Sequence, residues 1–434
     1  MKKPYLIIVL LAGFPVAALP VAAQSPVDSG LAAAIAQIRA IDNHAHPLLP
    51  PHAGMPADSD YDALPLAAIP PFPLPVALAP DNPQYMVAWR TLYGDSSKRR
   101  QVMADHGDGW PAWALDQMGT DIMLANRVAV GPGLMPPRFR WVAFIDPLLF
   151  PLNTSLERAA TPDVRSLYPH EERILGRYLA ALHLKVVPAT LDAYLSTVVN
   201  PTLDRLQREG AVAIKYEVAY LRALDFGNPS RAAAAAVYAR YAGGGTPTHA
   251  EYKTLEDFLF REIGRQAGKR ALPVHIHSAD IAGGFYNVSG SQPLLLEGVF
   301  NDSTLRGTRF VLLHGGWPQT RQTLSMLSKP NVYADISLMD QMLSPAVLAG
   351  VLREWLGAYP DKVLFGTDAF ADHNEDPVGW VESGWVAART ARRALGIALT
   401  GMMNDGEISR DRAVQIARMV MRTNAATLYG FPAE

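Results

Sequence analysis

The 434-residue sequence contains no cysteine, and this absence limits the chemistry that it can perform. Disulfide bridges, thiol nucleophiles, cysteine-bound zinc and iron–sulfur clusters are excluded. An excess of basic residues is also lacking, since 39 Lys and Arg stand against 41 Asp and Glu, for a net charge of −2. Nucleic-acid-binding proteins usually carry a basic face, so we expect no nucleic-acid partner. Any metal site must therefore use histidine, carboxylates or a modified lysine.

Two familiar motifs are missing as well. No G-x-S-x-G occurs, which disfavours a serine hydrolase. No G-x-G-x-x-G follows a strand-like segment, which disfavours a dinucleotide-binding fold. The composition is instead 49% hydrophobic, which supplies a large core and excludes intrinsic disorder as a description of the whole chain.

The first 23 residues have the pattern of a secretory signal peptide. Lys2 and Lys3 precede an apolar stretch, and small residues end the segment before a predicted cleavage site after Ala23. An uncleaved membrane anchor is the alternative, which Pro15 and Pro20 and the lack of a following charge cluster disfavour. We therefore expect a periplasmic or secreted protein that is not inserted in the membrane after cleavage.

Residues 24–434 alternate between short apolar segments and helical patterns. Continuously apolar strands separated by helices are typical of a parallel sheet covered on both faces. Eight such units predict an α/β fold of the (β/α)8 TIM barrel type, with an open doubly wound sheet as the alternative. Residues 47–84 hold 11 prolines and are predicted to be an insertion after the first strand, lying over the surface or forming part of a lid. The apolar segments are the one that leads into His44 and residues 121–129, 140–145, 211–215, 272–277, 309–314, 332–336 and 362–367.

Ionisable side chains stand at the carboxyl ends of five of these segments. In a barrel the carboxyl ends of the strands meet at one mouth, where active sites lie. Residues two apart on an extended chain point to the same side, so a His-x-His pair offers two ligands to one ion. The residues at the strand ends are His44 and His46, Lys215, His277, His314 and Asp368.

Each of these residues has a structural alternative. Lys215 is compatible with a buried ion pair to Glu217, and Asp368 with the N-cap of a following helix. His314 precedes two glycines and is compatible with a turn. His275 forms a second His-x-His pair with His277, and it either faces the site or is a structural neighbour. The joint occurrence of the set at strand ends favours a site.

The ordered set of motifs resembles the amidohydrolase superfamily, specifically its amidohydrolase-related group of metal-dependent TIM-barrel enzymes. The resemblance covers most of residues 38–430. Its later half also resembles the barrel fused to, or standing beside, glutamine-synthetase-like proteins. The matching segments are 41–46 (IDNHAH), 213–215 (AIK), 219–222 (AYLR), 274–279 (VHIHSA), 312–318 (LLHGGWP), 331–337 (NVYADIS) and 364–369 (LFGTDA).

The resemblance implies roles for these residues. It makes His44 and His46 the ligands from the first strand, and His277, His314 and Asp368 those from the fifth, sixth and eighth. Lys215 corresponds to the fourth-strand position, which in relatives with two metals is a carboxylated lysine that bridges the ions. The implied cofactor is one or two divalent ions, with zinc favoured.

The ligand set implies hydrolysis of a C–N or C–O bond in a small molecule by a metal-activated water. Asp368 is expected to accept and return the proton, and His314 to polarise a carbonyl. Candidate substrate contacts are Arg222, Tyr220 and Trp317, with an ion pair as the equal alternative for Arg222 and core packing as that for Trp317. The loops at 285–286 and 372–376 are further candidates.

Two other functions stay open. The same barrel and ligands support a decarboxylase or hydratase of a carboxylic acid, and a secreted binding protein that has lost catalysis is a third interpretation. The sequence does not identify the substrate, the metal or the oligomeric state, so a homo-oligomer is also left open.

Overall fold

A single sheet of eight parallel strands, arranged in sequential order, lies at the centre of the chain. The computed structural model describes residues 27–49, 58, 60–64, 73–131, 133–278, 287–371 and 379–432. The strands are β1 (Ala40–Ala45), β2 (Thr120–Arg127), β3 (Phe139–Phe144), β4 (Ala211–Tyr216), β5 (Val274–His277), β6 (Phe310–Leu313), β7 (Val332–Asp335) and β8 (Val363–Leu364).

Main-chain hydrogen bonds connect β1 to the chain that follows β8. Asn43 N donates to Phe365 O at 2.8 Å, and Asp368 N donates to His44 O at 2.7 Å. Each predicted apolar segment overlaps one strand of this sheet. The predicted (β/α)8 TIM barrel is confirmed, and its sheet closes at the point where two of the predicted site residues meet.

Helices surround the sheet. Two of the helical stretches include a π turn, at 195–199 and 419–423. The helices are α1 (Ser29–Ala36), α2 (Pro83–Tyr93), α3 (Arg99–His106), α4 (Trp110–Met118), α5 (Ser155–Ala160), α6 (Tyr168–Ala181), α7 (Leu191–Tyr194), α8 (Asn200–Arg208), α9 (Arg231–Tyr241), α10 (His249–Lys269), α11 (Glu297–Phe300), α12 (Thr320–Leu327), α13 (Met339–Met342), α14 (Pro345–Ala358), α15 (Trp380–Asn404), α16 (Arg410–Arg418) and α17 (Asn424–Tyr429).

The connections near the amino end of the barrel differ from the simple alternation. The chain between β1 and β2 includes α2, α3 and α4, so the excursion continues beyond the predicted insertion at 47–84. Pro83 occupies the first turn of α2, where its missing N–H costs nothing. The described part of the β2–β3 connection, residues 128–131 and 133–138, contains no helix.

The apolar core has two layers. A large cluster joins the strands to the helices, while a smaller one is formed by alternate strand residues and fills the inside of the barrel. Tyr429 and Phe431, at the end of the last helix, pack against the smaller cluster. Its buried strand residues are Ile41, Ile122, Leu124, Val142, Ala213, Val311, Leu313 and Leu364.

The predicted signal peptide at residues 1–23 lies outside the described residues. Among the helices of the described chain, none is both long enough and apolar enough to cross a bilayer.

Candidate metal centre

Asp368 lies between the histidines of the first strand. Its Oδ1 is 3.0 Å from His44 Nε2 and 3.6 Å from His46 Nε2. A register shift in the pairing of β1 with β2 falls between Asp42 and Ala45, the stretch that contains His44. The sequence pattern that predicted two ligands on one side is therefore realised around one carboxylate.

His314 approaches the same carboxylate from the sixth strand. Its Nδ1 is 3.9 Å from Asp368 Oδ2, and its ring centre is 5.1 Å from that of His44. Both His314 and Asp368 have positive φ, 59° and 51°. Such conformations cost about 1–3 kcal/mol for residues other than glycine and are concentrated at functional sites. Gly315 follows with φ 53°, and a side chain there would overlap Trp355 and Met339.

Buried hydrogen bonds hold these two strained residues in place. Asp335 Oδ1 accepts from His314 N at 2.8 Å and from Ser337 Oγ at 2.7 Å. Gln341 Nε2 donates to the main-chain oxygen of Asp368 at 2.8 Å. The position of each site residue is thus set by a side chain of the β7 end or of the short helix that follows it.

The same network fixes the tautomer of His314. The Ser337 hydroxyl has one hydrogen and lies 2.7 Å from a carboxylate oxygen of Asp335, so the Oγ can accept from His314 Nδ1, which is 3.0 Å away. A proton on Nδ1 leaves Nε2 with a free lone pair, which is the form that binds a metal.

His277 and Lys215 complete the predicted set. The His277 ring centre is 4.7 Å from that of His314. Lys215 is fully buried, and its Nζ lies 3.4 Å from His44 Nε2 and 3.3 Å from Glu217 Oε1. The alternative ion pair of Lys215 with Glu217 is therefore present, and Lys215 contacts the histidine centre as well.

Two residues that the sequence analysis did not select also enter the site. Asp62 Oδ2 is 2.9 Å from His46 Nδ1, and Glu217 lies beside it, so that one ligand atom from each of His46, Asp62 and Glu217 falls within 4.8 Å of the others. His44, His314 and Asp368 form a second group with the same spacing. Asp62 stands in the Pro-rich segment with Asp58 and Asp60, away from the strand ends on which the sequence analysis selected residues, so it was not chosen.

Burial and neighbouring charges set the ionisation of the histidines. Burial, followed by the charge of Lys215, lowers the pKa of His44 well below its usual value, and burial does the same for His314. Burial also opposes the charged form of His46, but Asp62 and Asp368 outweigh it and raise the pKa of His46. His44 and His314 are therefore neutral, as metal ligands must be.

The residues present fit a divalent transition metal. Imidazole nitrogens with a carboxylate are a donor set used by zinc and related ions. His44 Nδ1 is buried without a hydrogen-bond partner in the described chain. Below the mouth, Asp42 accepts from Thr367 N at 2.9 Å and Oγ1 at 2.6 Å, which connects the two strands that carry His44 and Asp368.

His275 is the structural neighbour rather than a residue of the mouth. Its Nε2 lies 2.6 Å from the Tyr429 hydroxyl, which also contacts Asn43 Oδ1. Asn43 Nδ2 in turn donates to Asp335 Oδ2 at 2.8 Å. Burial, followed by the charge of Lys215, lowers the pKa of His275 to about 3, so this ring is neutral and joins the network beneath the site.

The three predicted substrate-contact residues lie in different environments in the structure. The Tyr220 ring centre is 4.6 Å from that of His277. Trp317 is half-buried against the core, and its main-chain N–H donates to His314 O at 3.0 Å. The guanidinium of Arg222 lies 2.8 Å from carboxylate oxygens of both Glu256 and Asp257. This is the ion-pair arrangement weighed for Arg222. Residues 285–286 and 372–376 lie outside the described residues.

Comparisons with known proteins agree with the barrel. A family model described as Amidohydrolase matches residues 180–431. The chain is 27% identical over 186 residues to the protein fluG of Emericella nidulans, a match that covers 41% of this chain and only 20% of that protein. The chain thus spans about a fifth of this curated relative.

Two solved structures share the fold at low identity. An inferred metal-dependent hydrolase from Lactobacillus casei has a TM-score of 0.66 at 17% identity, covering 92% of this chain and 97% of that one. The glucuronate isomerase of Caulobacter crescentus has a TM-score of 0.59 at 12% identity, covering 92% and 93%. At these identities the likeness concerns the fold alone, and it extends over the strands that precede the family match.

Proposed function

The chain belongs to the amidohydrolase family, and we propose that it is a metal-dependent hydrolase that cleaves a C–N or C–O bond of a small molecule, of amide, ester or lactone type. The observation that carries the proposal is the convergence of His44, His46 and His314 on Asp368 at the mouth of the barrel. The family match does not include the first strand, so the first two ligands rest on this geometry.

The residues that would hold the ion are His44, His46 and Asp368, with His314 as a further ligand. When bound, a divalent metal supplies a water of lowered pKa and polarises the carbonyl group. Asp368 takes the proton from the attacking water and returns it to the leaving group. His46 is oriented by Asp62, and the neutral His44 and His314 present lone pairs rather than protons.

The finer assignments follow from the same arrangement. We propose zinc as the ion, because its usual ligands are nitrogen and oxygen donors of this kind. We also propose that Lys215, whose Nζ lies 3.4 Å from His44 Nε2, would be a bridging ligand when its amine is carboxylated, and that His277 would be a further ligand. The amino-terminal 23 residues support export, and hence a periplasmic or secreted site of action.

The test uses water labelled with 18O and a panel of N-acyl amino acids, dipeptides, lactones and aromatic acids. The proposal expects one labelled oxygen in the product and at least a 100-fold loss of kcat in Asp368→Asn. The exposed Asp361→Asn is the matched control and should keep the parental rate. Carbon dioxide release without label would favour the decarboxylase interpretation and overturn the hydrolase, as would near-parental turnover by Asp368→Asn.

A further inference from the structure

A cavity of about 440 Å³ lies next to the metal centre at the carboxyl end of the barrel. Its walls come from the segments that follow β3 and β4 and from the beginning of α10. Tyr220 lines this cavity and also stacks against His277, so one side chain borders both spaces. A substrate held in the cavity would reach the metal centre past this ring.

Negative charge is in excess on the cavity wall. Four carboxylates line it, against the two cations Arg222 and Lys253. Both cations are already paired, because Arg222 contacts Glu256 and Asp257 at 2.8 Å and Lys253 Nζ contacts Asp257 at 2.8 Å, and the four lining acids together with Asp257 still outnumber the two cations by three. The four lining carboxylates are Glu157, Asp163, Asp225 and Glu256.

Glu157 offers a hydrogen-bond acceptor to a ligand in the cavity. It is only 5% exposed, and its Oε2 lies 2.8 Å from Nδ1 of His249, whose side chain is exposed. Its other oxygen, Oε1, is buried without a hydrogen-bond partner in the described chain. A buried carboxylate oxygen left unpaired is costly, so a donor group from outside the chain would be stabilised there.

Glu256 contributes less to this excess than a fully ionised carboxylate would. Burial raises its pKa to about 7, and the opposing attraction of Arg222 does not outweigh that effect. Arg222 stacks on Phe226, with 4.3 Å between the guanidinium carbon and the ring centre. The guanidinium therefore has a carboxylate at its edge and an aromatic ring at its face, which leaves it little capacity to form hydrogen bonds with a substrate anion.

We propose that this cavity binds a cationic group of the substrate, a primary amine or a guanidinium, through Glu157 and its neighbouring carboxylates. The inference deepens the proposed function, on which it rests, by naming the charge of the substrate class. It assigns no substrate contact to Arg222, which the sequence analysis listed as a candidate for one, because the guanidinium pairs with Glu256 and Asp257.

The test is calorimetric titration of the purified full-length protein with three probes of equal length: 1,5-diaminopentane, 1,5-pentanediol and glutarate. We expect the diamine to bind at least tenfold more tightly than the diol, and glutarate not to bind.

Three variants test which carboxylates bind the diamine. Glu157→Gln should weaken diamine binding at least tenfold. Asp163→Asn, a change at a half-exposed residue that protects the test against misfolding of the first variant, should weaken it about threefold. Glu297→Gln removes a surface partner of Lys329 and should change nothing.

The outcomes separate this inference from the proposed function. Asp368→Asn should lose hydrolysis and keep diamine binding, because Asp368 does not line the cavity. Glutarate binding as tightly as the diamine, or diamine binding that neither Glu157→Gln nor Asp163→Asn weakens, overturns the cationic site and leaves the hydrolase intact. Diamine binding in a protein that shows no metal-dependent hydrolysis would instead contradict the proposed function.

Discussion

Asp62 Oδ2 lies 2.9 Å from Nδ1 of His46, the ring nitrogen opposite the one that is nearest to Asp368. A residue of the predicted insertion after the first strand thus contacts a predicted metal ligand. The segment is fixed at its other aspartates, since Asp58 pairs with the buried Arg127 at 2.8 Å and Asp60 pairs with Arg177. A carboxylate on the second nitrogen of a ligating histidine fixes the ring and raises its basicity. The described part of the insertion thus contributes Asp62 to the candidate metal centre.

Replacing Asp62 should therefore weaken metal binding without unfolding the barrel. We expect Asp62→Asn to reduce metal affinity roughly 10- to 100-fold, because His46 loses the partner that orients it. Asp60→Asn, in the same segment but at an exposed pair, is the control and should keep the parental affinity. Competition with a chelator measures both variants, and equal affinities for the two would contradict the role of Asp62.

Arg222 should behave as a structural residue. Arg222→Ala leaves the carboxylates of Glu256 and Asp257 without their shared cation, and we expect a loss of about 3–5 kcal/mol in the free energy of unfolding. Arg321→Ala breaks an exposed pair with Glu354 and should cost about 1 kcal/mol or less. Urea unfolding tests both variants; a stable Arg222→Ala protein with a large rise only in KM would instead support a substrate contact.

The stability of the wild-type protein relative to a Glu256→Gln variant should depend on pH in a defined direction. The pKa of Glu256 is raised by burial to about 7 in the folded chain from 4.5, so between these values the unfolded chain releases a proton that the folded chain keeps. The wild type therefore loses stability as the pH rises from about 4.5 to 7, and the variant does not. We expect the difference to grow in favour of Glu256→Gln by roughly 1–3 kcal/mol over this range. Urea unfolding at several pH values measures it, and a difference independent of pH would contradict the raised pKa.

The network beneath the site should contribute stability rather than catalysis. Tyr429→Phe removes the hydroxyl that contacts Asn43 and His275, and leaving these buried groups unpaired should cost about 1–3 kcal/mol. Metal content per folded chain should be unchanged. Loss of the ion in Tyr429→Phe, measured by elemental analysis of folded protein, would mean that the network positions the ligands themselves.

The sequence predicted the parts of this site that depend on strand ends. His44, His46, His314 and Asp368 could be selected because parallel strands place their carboxyl ends at one mouth, so that position along the chain predicts position in space. The eight strands were recoverable for the same reason, as buried parallel strands are continuously apolar.

The remaining features depend on contacts that no local pattern encodes. Asp62 comes from a Pro-rich segment whose described residues Asp58 and Asp60 pair with Arg127 of β2 and Arg177 of α6. The acids that neutralise Arg222 stand on α10, where Glu256 and Asp257 occupy positions on the helix face against the barrel. The sequence allowed an ion pair for Arg222, but neither spacing nor composition identified its partners. The charge of the adjoining cavity therefore follows only from the structure.

The most direct test of the account is elemental analysis of folded, purified protein for the two His-x-His pairs. Wild-type protein and His275→Ala should each retain at least about 0.8 equivalents of a transition metal, while the His44→Ala/His46→Ala variant should retain less than about 0.1. Wild-type protein with less than about 0.2 equivalents and no activation by zinc or manganese would contradict the metal centre. So would retention of the ion by His44→Ala/His46→Ala together with its loss from His275→Ala.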